Sequence, residues 1–257
     1  MTALLLAAVL AANPAAVRIE ARDFTLTLPG HVPAGRIAFT LDNRGSEPHA
    51  LRFLRLADTH TFDDFVAWQK SGAAIPAWLV PSGGIGAVAP GLTTDYVATL
   101  TAGSYVVLCA YPSADGTPHT AKGMFAPLQV DAGDAGVRAP DADLTVVLSD
   151  HHFLLSAPVP GGHPIWHLRN TGSEPHQALL VKLPNGVNQF QERAWFDHSS
   201  RGARPGIPVG GVIDLPTGSE AWFSAELTPG RYLLLCAAVE EEGHHYDLGM
   251  SYAFVIE

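Results

Sequence analysis

Hydrophobic residues in this chain come in short runs of Val, Ile, Leu, Phe and Tyr, with Gly, Pro, Asn and Asp standing between them. "VRIEARDFTLTL" (17–28), "RIAFTLDN" (36–43), "TDYVATL" (94–100) and "GSYVVLC" (103–109) belong to the first half. "LTVVL" (144–148), "PIWHLRN" (164–170), "EAWFSAEL" (220–227), "GRYLLLC" (230–236) and "SYAFVIE" (251–257) belong to the second. Runs of this kind, rich in β-branched and aromatic residues and punctuated by turn formers, predict many short antiparallel strands. Short helices are expected only around "TFDDFVAW" (61–68) and "NQFQERAWF" (188–196). So many strands with so few helices predict an all-β fold of two-sheet sandwiches.

The pattern occurs twice. "NRGSEPH" (43–49) and "NTGSEPH" (170–176) stand at an offset of 127, as do Trp68 and Trp195, Pro81 and Pro208, Gly84 and Gly211, Tyr105 and Tyr232, and Cys109 and Cys236. A period this long exceeds the roughly 20 to 50 residues of stacking repeats, so each copy is expected to be a domain with its own core. The expected division is residues 17–130 and 144–257, two tandem antiparallel Greek-key β-sandwiches. The small, polar "DAGDAGVRAPDAD" (131–143) reads as a linker.

A formal net charge of -10, with only 15 Lys and Arg among 257 residues, repels nucleic acid and anionic membrane surfaces and favours a basic or neutral partner. The N-terminal "TALLLAAVLAANPAA" has the apolar run and small residues of a secretory signal, expected over residues 1–16, although no positive charge follows Met1. Its apolar run is shorter than the roughly 20 residues of a membrane span, so no transmembrane segment is expected and the protein is read as periplasmic or extracellular.

The chemistry lies at the ends of the two cysteine-bearing runs. In "LCAYPSADGTPHTAKGM" (108–124) nine residues separate Cys109 from His119, and Met124 follows after four more. In "LCAAVEEEGHHYDLGM" (235–250) eight residues separate Cys236 from His245, and Met250 again follows after four. The upstream islands each end in a histidine, His49 and His176. One thiolate, two imidazoles and a thioether form the ligand set of a copper ion that shuttles one electron, because soft sulfur suits Cu(I) and imidazole suits both states. A lone buried Cys or Met is ordinarily core filler. Duplication of all four at matched spacing favours the metal. Placing the two cysteines at equivalent positions of separate domains argues against a disulfide between them. The shared glycines, prolines and Asn43 and Asn170 read as turn formers, and Trp68, Trp195 and Tyr105 as core. His151, His152, His163 and His167 have no equivalents in the first repeat and read as surface or strand positions. Glu240, Glu241 and Glu242 read as a solvated loop whose negative charge would favour Cu(II) and steer a basic partner.

On these motifs both halves resemble cupredoxins, in which a type 1 copper is held by a histidine from an upstream loop and by a Cys, His, Met run in the last loop. The resemblance implies copper ligation by His49, Cys109, His119 and Met124 in the first half and by His176, Cys236, His245 and Met250 in the second, up to two copper ions per chain. It implies one-electron transfer with a redox partner protein. Copper storage or delivery, and a copper-free structural sandwich, are the alternative readings. The loops depart from the small cupredoxins, which place two to four residues between Cys and His, and come closer to the type 1 loop of copper nitrite reductases. After the first histidine, where many members carry Asn, stand Ala50 and Gln177, so a bond that steadies the site is expected to be missing. His244 adjoins His245, and the spacing to Met250 favours His245. Oxidases and nitrite reductases of this fold add catalytic copper through His-x-His pairs or a histidine directly before the type 1 cysteine. Here Leu108 and Leu235 hold that place and no His-x-His occurs, so an enzyme is not expected.

Overall fold

The computed structural model of the chain describes residues 16–57, 59–197 and 201–257, and the expected signal segment, apart from Ala16, lies outside them. Alternation shapes the first strand, β1 (Val17–Arg22), which buries Ile19 and Ala21 and turns Arg18 and Arg22 outward. The rest of the first half consists of β2 (Thr25–Thr27), β3 (His31–Pro33), β4 (Gly35–Asn43), β5 (His49–Leu56), helix α1 (Phe62–Ser71), β6 (Leu79–Val88), β7 (Thr93–Leu100), β8 (Gly103–Leu108) and β9 (Phe125–Asp131). The second half repeats the order with β10 (Leu144–Ser149), β11 (His152–Leu155), β12 (Ile165–Asn170), β13 (His176–Leu183), helix α2 (Gln189–Asp197), β14 (Ile207–Leu215), β15 (Glu220–Ser224), β16 (Gly230–Leu235), a small hairpin of β17 (Val239–Glu240) and β18 (Gly243–His244), and β19 (Ser251–Ile256). The two helices fall where the sequence predicts them. Thr61 caps α1, its hydroxyl accepting from the amide of Asp64 while the Asp64 carboxylate accepts from the amide of Thr61.

Two sheets face each other, and both cross from one half to the other. One runs β11-β10-β12-β15-β7-β4-β1-β2 and the other β19-β16-β13-β14-β6-β5-β8-β9-β3. Most pairings are antiparallel, but β1 lies parallel to β4, β3 to β9 and β10 to β12. At the seam β15 pairs with β7, Trp222 opposite Val97 and Ser224 opposite Asp95. These two pairs exchange places under the 127-residue offset, so the halves are related locally by a two-fold axis. A single cluster of buried side chains extends from Ile19 to Ile256 through both halves. Residues 131–143 pack as well: the amide of Ala135 donates to the carbonyl of Ala34 at 2.7 Å, and Val137 is buried with Val97 and Trp222.

The glycines and prolines of "LVPSGGIGAV" and "IPVGGVIDL" lie within β6 and β14, not in turns as the sequence suggested. Steric closeness is the reason. A Cβ on Gly84 would lie 2.1 Å from the Leu51 carbonyl oxygen, one on Gly86 2.5 Å from that of Gly210, and one on Gly211 2.1 Å from that of Ala178. Bulges interrupt the β13–β14 and β5–β6 ladders in the same region. Only residues without side chains allow these backbones to approach so closely.

Candidate metal centre

The strand period decides where each cysteine points. Along β8, Tyr105 and Val107 face the interior between the sheets, and Cys109 continues that parity, while Val106 and Leu108 pack beneath α1 with Phe65. Along β16, Tyr232, Leu234 and Cys236 face inward, and Leu233 and Leu235 face Phe196 of α2. Leu108 and Leu235, the places that would hold a second-copper histidine, therefore lie on the helix-covered face. Both cysteines are free and wholly buried.

Each first histidine opens a strand, brought there by the turn before it. The Asn43 side-chain amide donates to the carbonyls of Glu47 and Val88, both at 2.9 Å, and its oxygen accepts from the amide of Gly45. Asn170 does the same with Glu174, Leu215 and Gly172. Gly45 must be glycine, since a Cβ there would meet the His49 Nε2 at 2.6 Å and the Asp23 carboxylate at 2.3 Å.

The first centre brings the Cys109 Sγ to 3.5 Å from the His119 Nδ1 and 3.9 Å from the His49 Nδ1, with the two Nδ1 atoms 3.1 Å apart. In the second, the Cys236 Sγ lies 3.5 Å from the His245 Nδ1, which is 3.2 Å from the His176 Nδ1. Within each group the three donor atoms lie within 4.8 Å of one another. Met124 and Met250 are buried beside them: the amide of each cysteine donates to the carbonyl of its methionine at 3.0 Å. His244 turns away, stacking on Tyr246 and directing Nδ1 to the Ala237 carbonyl.

Burial sets the charge state. It pushes both thiols up to about 11 and lowers the pKa of His49, His119 and His245. At neutral pH both thiols are thus protonated, and burial disfavours the charged form of His49, His119 and His245. Carboxylates hold the outward nitrogens: Asp23 takes the His49 Nε2 at 2.8 Å, Glu47 the His119 Nε2 at 3.0 Å and Asp150 the His176 Nε2 at 3.2 Å. A proton on Nε2 leaves the Nδ1 lone pair facing inward, where a metal would need it. The missing bond after the first histidine has a substitute in the backbone. The amides of Ala50 and Gln177 donate to the cysteine sulfurs at 3.4 and 3.2 Å. A thiol and two imidazoles with their donor atoms converging, and a buried methionine whose backbone is bonded to that of the cysteine, fit a copper ion.

The sequence reading overlooked these carboxylates. Asp23 and Asp150 stand at the same 127-residue offset, and Glu47 and Glu174 lie inside the matched islands, so the repeat itself carried the signal. It also set His151 aside as a surface position. The structure places His151 half-buried and edge-on against His245, with ring centroids 5.3 Å apart. Glu240 meets His151 and is not a freely solvated loop residue.

Asp23 gives the loop a pH-dependent tie. Although burial raises its pKa, the hydroxyl and amide of Ser46, the amide of Glu47 and His49 together hold it at about 2, below the ordinary 3.8. A depressed carboxylate stabilises the fold above its unfolded pKa and loses that contribution as pH falls through the folded value. Asp23→Asn should therefore lower stability in denaturant unfolding at pH 7, by about 1 kcal/mol once solvent screening of this partly exposed carboxylate is counted. The gap from wild type should shrink between pH 3.8 and about 2. An equal gap at pH 7 and pH 2 would show that charge plays no part.

Two sandwiches of this topology, each with a histidine at the head of one strand, a cysteine at the end of another and a His–Met loop before the last, define a cupredoxin-like fold. No protein-family model matches the sequence, nor does any curated protein. Among solved structures, the chain is similar to reduced auracyanin from the photosynthetic bacterium Roseiflexus castenholzii, at 20% identity and a TM-score of 0.33 over 46% of this chain and 98% of that one. It is also similar to a copper-containing nitrite reductase from Thermus scotoductus, at 15% identity and a TM-score of 0.27 over 93% of this chain and 61% of that one. A copper nitrite reductase from Nitrosomonas europaea aligns at 13% identity and a TM-score of 0.27, over 95% of this chain and 94% of that one.

Proposed function

We propose that this chain is a copper protein with two type 1 centres that works in one-electron transfer. One observation carries the reading: the same buried Cys, His, His group, with its methionine alongside, is assembled twice. His49, Cys109 and His119 with Met124 would hold one ion, and His176, Cys236 and His245 with Met250 the other. Copper, when bound, supplies a reversible one-electron couple. The protein's part is to hold the donors still. Strand ends carry the cysteines, Asp23, Glu47 and Asp150 orient imidazoles, and two backbone amides donate to the sulfurs. Donors already in place need little rearrangement when charge changes, which is what rapid electron exchange requires.

Loading with Cu(II) should give two copper ions per chain and an intense visible band from the thiolate. Since each thiol is protonated at neutral pH, uptake should release one proton per site to a weakly buffered solution. Two bound coppers without the intense band would defeat the type 1 assignment. Burial of the histidines favours electron carriage over copper delivery, because ligand exchange with an acceptor protein needs donors at the surface. Reversible reduction with copper retained distinguishes the two readings. Leu108 and Leu235, where a histidine bridge to a catalytic copper would stand, support a carrier over an oxidase or nitrite reductase. Turnover of oxygen or nitrite at rates on the order of 1 per second would overturn that. We place the protein in the periplasm or outside the cell, with a basic redox protein as partner on account of the net charge of -10. Among the described residues no helix is long and apolar enough to cross a membrane.

A further inference from the structure

The two halves differ most on the outer side of the second histidine. In the first half the His119 Nε2 is bonded to Glu47 at 3.0 Å. In the second, the His245 Nε2 is buried without a hydrogen-bond partner, its nearest carboxylate oxygens being those of Glu174 at 3.6 Å and Glu240 at 4.0 Å. A buried imidazole nitrogen without a partner is costly and calls for a ligand. We propose that the second half carries an additional divalent-metal site, made by His151, Glu240 and the Nε2 of His245.

Four further observations converge on it. The ligating atoms of His151, Glu240 and His245 lie within 4.8 Å of one another, the His151 Nε2 being 2.5 Å from the Glu240 Oε1. The position equivalent to His151 is Phe24, which packs edge-on against His119 at 4.8 Å, much as His151 packs on His245. Hydrocarbon suffices for packing there, so the imidazole adds donor chemistry the first half lacks. Glu240 is carried inward by the β17–β18 hairpin, Val239 opposite His244 and Glu240 opposite Gly243, and its side chain is only 20% exposed. His151 also holds a φ of +63°, a left-handed conformation uncommon outside glycine and frequent at functional positions.

Two imidazoles and a carboxylate suit a borderline divalent ion such as Zn(II), Co(II) or Cu(II), with an open position left for water. The Glu174 carboxylate nearby adds negative charge. Its position beside the thiolate centre rests on the reading above: His245 would then serve both sites, Nδ1 toward one and Nε2 toward the other, its Nε2 proton passing to solvent. If that reading fails, His151, Glu240 and the His245 Nε2 still form the site.

Co(II), titrated into the full chain, separates the cases, because cobalt on a thiolate gives an intense near-ultraviolet band and cobalt on nitrogen and oxygen only weak visible ones. Wild type should bind one more Co(II) per chain than His151→Phe, the residue of the first half. The thiolate band should be unchanged between them. Glu240→Gln should weaken the extra site about tenfold or more. Equal cobalt content and affinity in wild type and both variants, with circular dichroism showing them folded, would overturn the proposal. A His151-dependent cobalt without any thiolate band would instead sink the type 1 reading and leave this site standing.

Discussion

Cys109→Ser should remove about half of the intense visible absorption of the copper-loaded protein, Cys236→Ser about the other half, and the double variant all of it. The band arises from charge transfer between thiolate and metal, and an alkoxide or hydroxyl does not supply it. Serine is close in size to cysteine, so neither cavity nor clash accompanies the change, and His49, His119 and His176 stay tied to their carboxylates. Each variant should still fold and retain one blue centre. Sulfur lies 3.5 Å from the second histidine in both centres, and the two Nδ1 atoms lie 3.1 and 3.2 Å apart, so the two bands should be of similar strength. Full absorption surviving in either single variant would show that the corresponding half binds no type 1 copper.

Gly86→Val should be a severely damaging change at the seam between the halves, costing roughly 3 kcal/mol or more. The added Cβ alone would lie 2.5 Å from the carbonyl oxygen of Gly210 and under 3.0 Å from two further backbone atoms of β14, which cannot move without opening the seam. The sheets should part between β6 and β14. Guanidinium unfolding should shift to lower denaturant and lose its single transition, as each half begins to melt by itself. Gly30→Ala, where an added Cβ meets nothing within 4 Å, is the control and should stay within about 0.5 kcal/mol of wild type. Wild-type stability in Gly86→Val would mean that the seam is not a cooperative part of the fold.

That seam marks where local pattern ceased to inform. Pro81, Gly84, Pro208 and Gly211 carry turn propensity, and nothing nearby in sequence says that β14 of the other half will press against β6. Propensity reflects a residue's own backbone freedom, whereas Gly84 and Gly211 answer first to the Leu51 and Ala178 carbonyls of neighbouring strands, and Gly86 to the Gly210 carbonyl across the seam. The same limit hid the outer histidine partners. Asp23 lies 26 residues before His49, and the spacing alone does not say that the two meet.

By itself the sequence determined the strand-rich composition of the chain, its duplication, both helices and the eight residues grouped at the candidate centres. These rest on short-range rules: a two-residue period sends Tyr105, Val107 and Cys109 to one face, and fixed loop spacing returns His119 and Met124 to the cysteine's end of the sheet. Tertiary structure alone decided that the two sandwiches share their sheets, that carboxylates aim three of the histidines, and that His151 stands against His245. Each of these depends on which surfaces approach in three dimensions, where distance is set by packing and not by position along the chain.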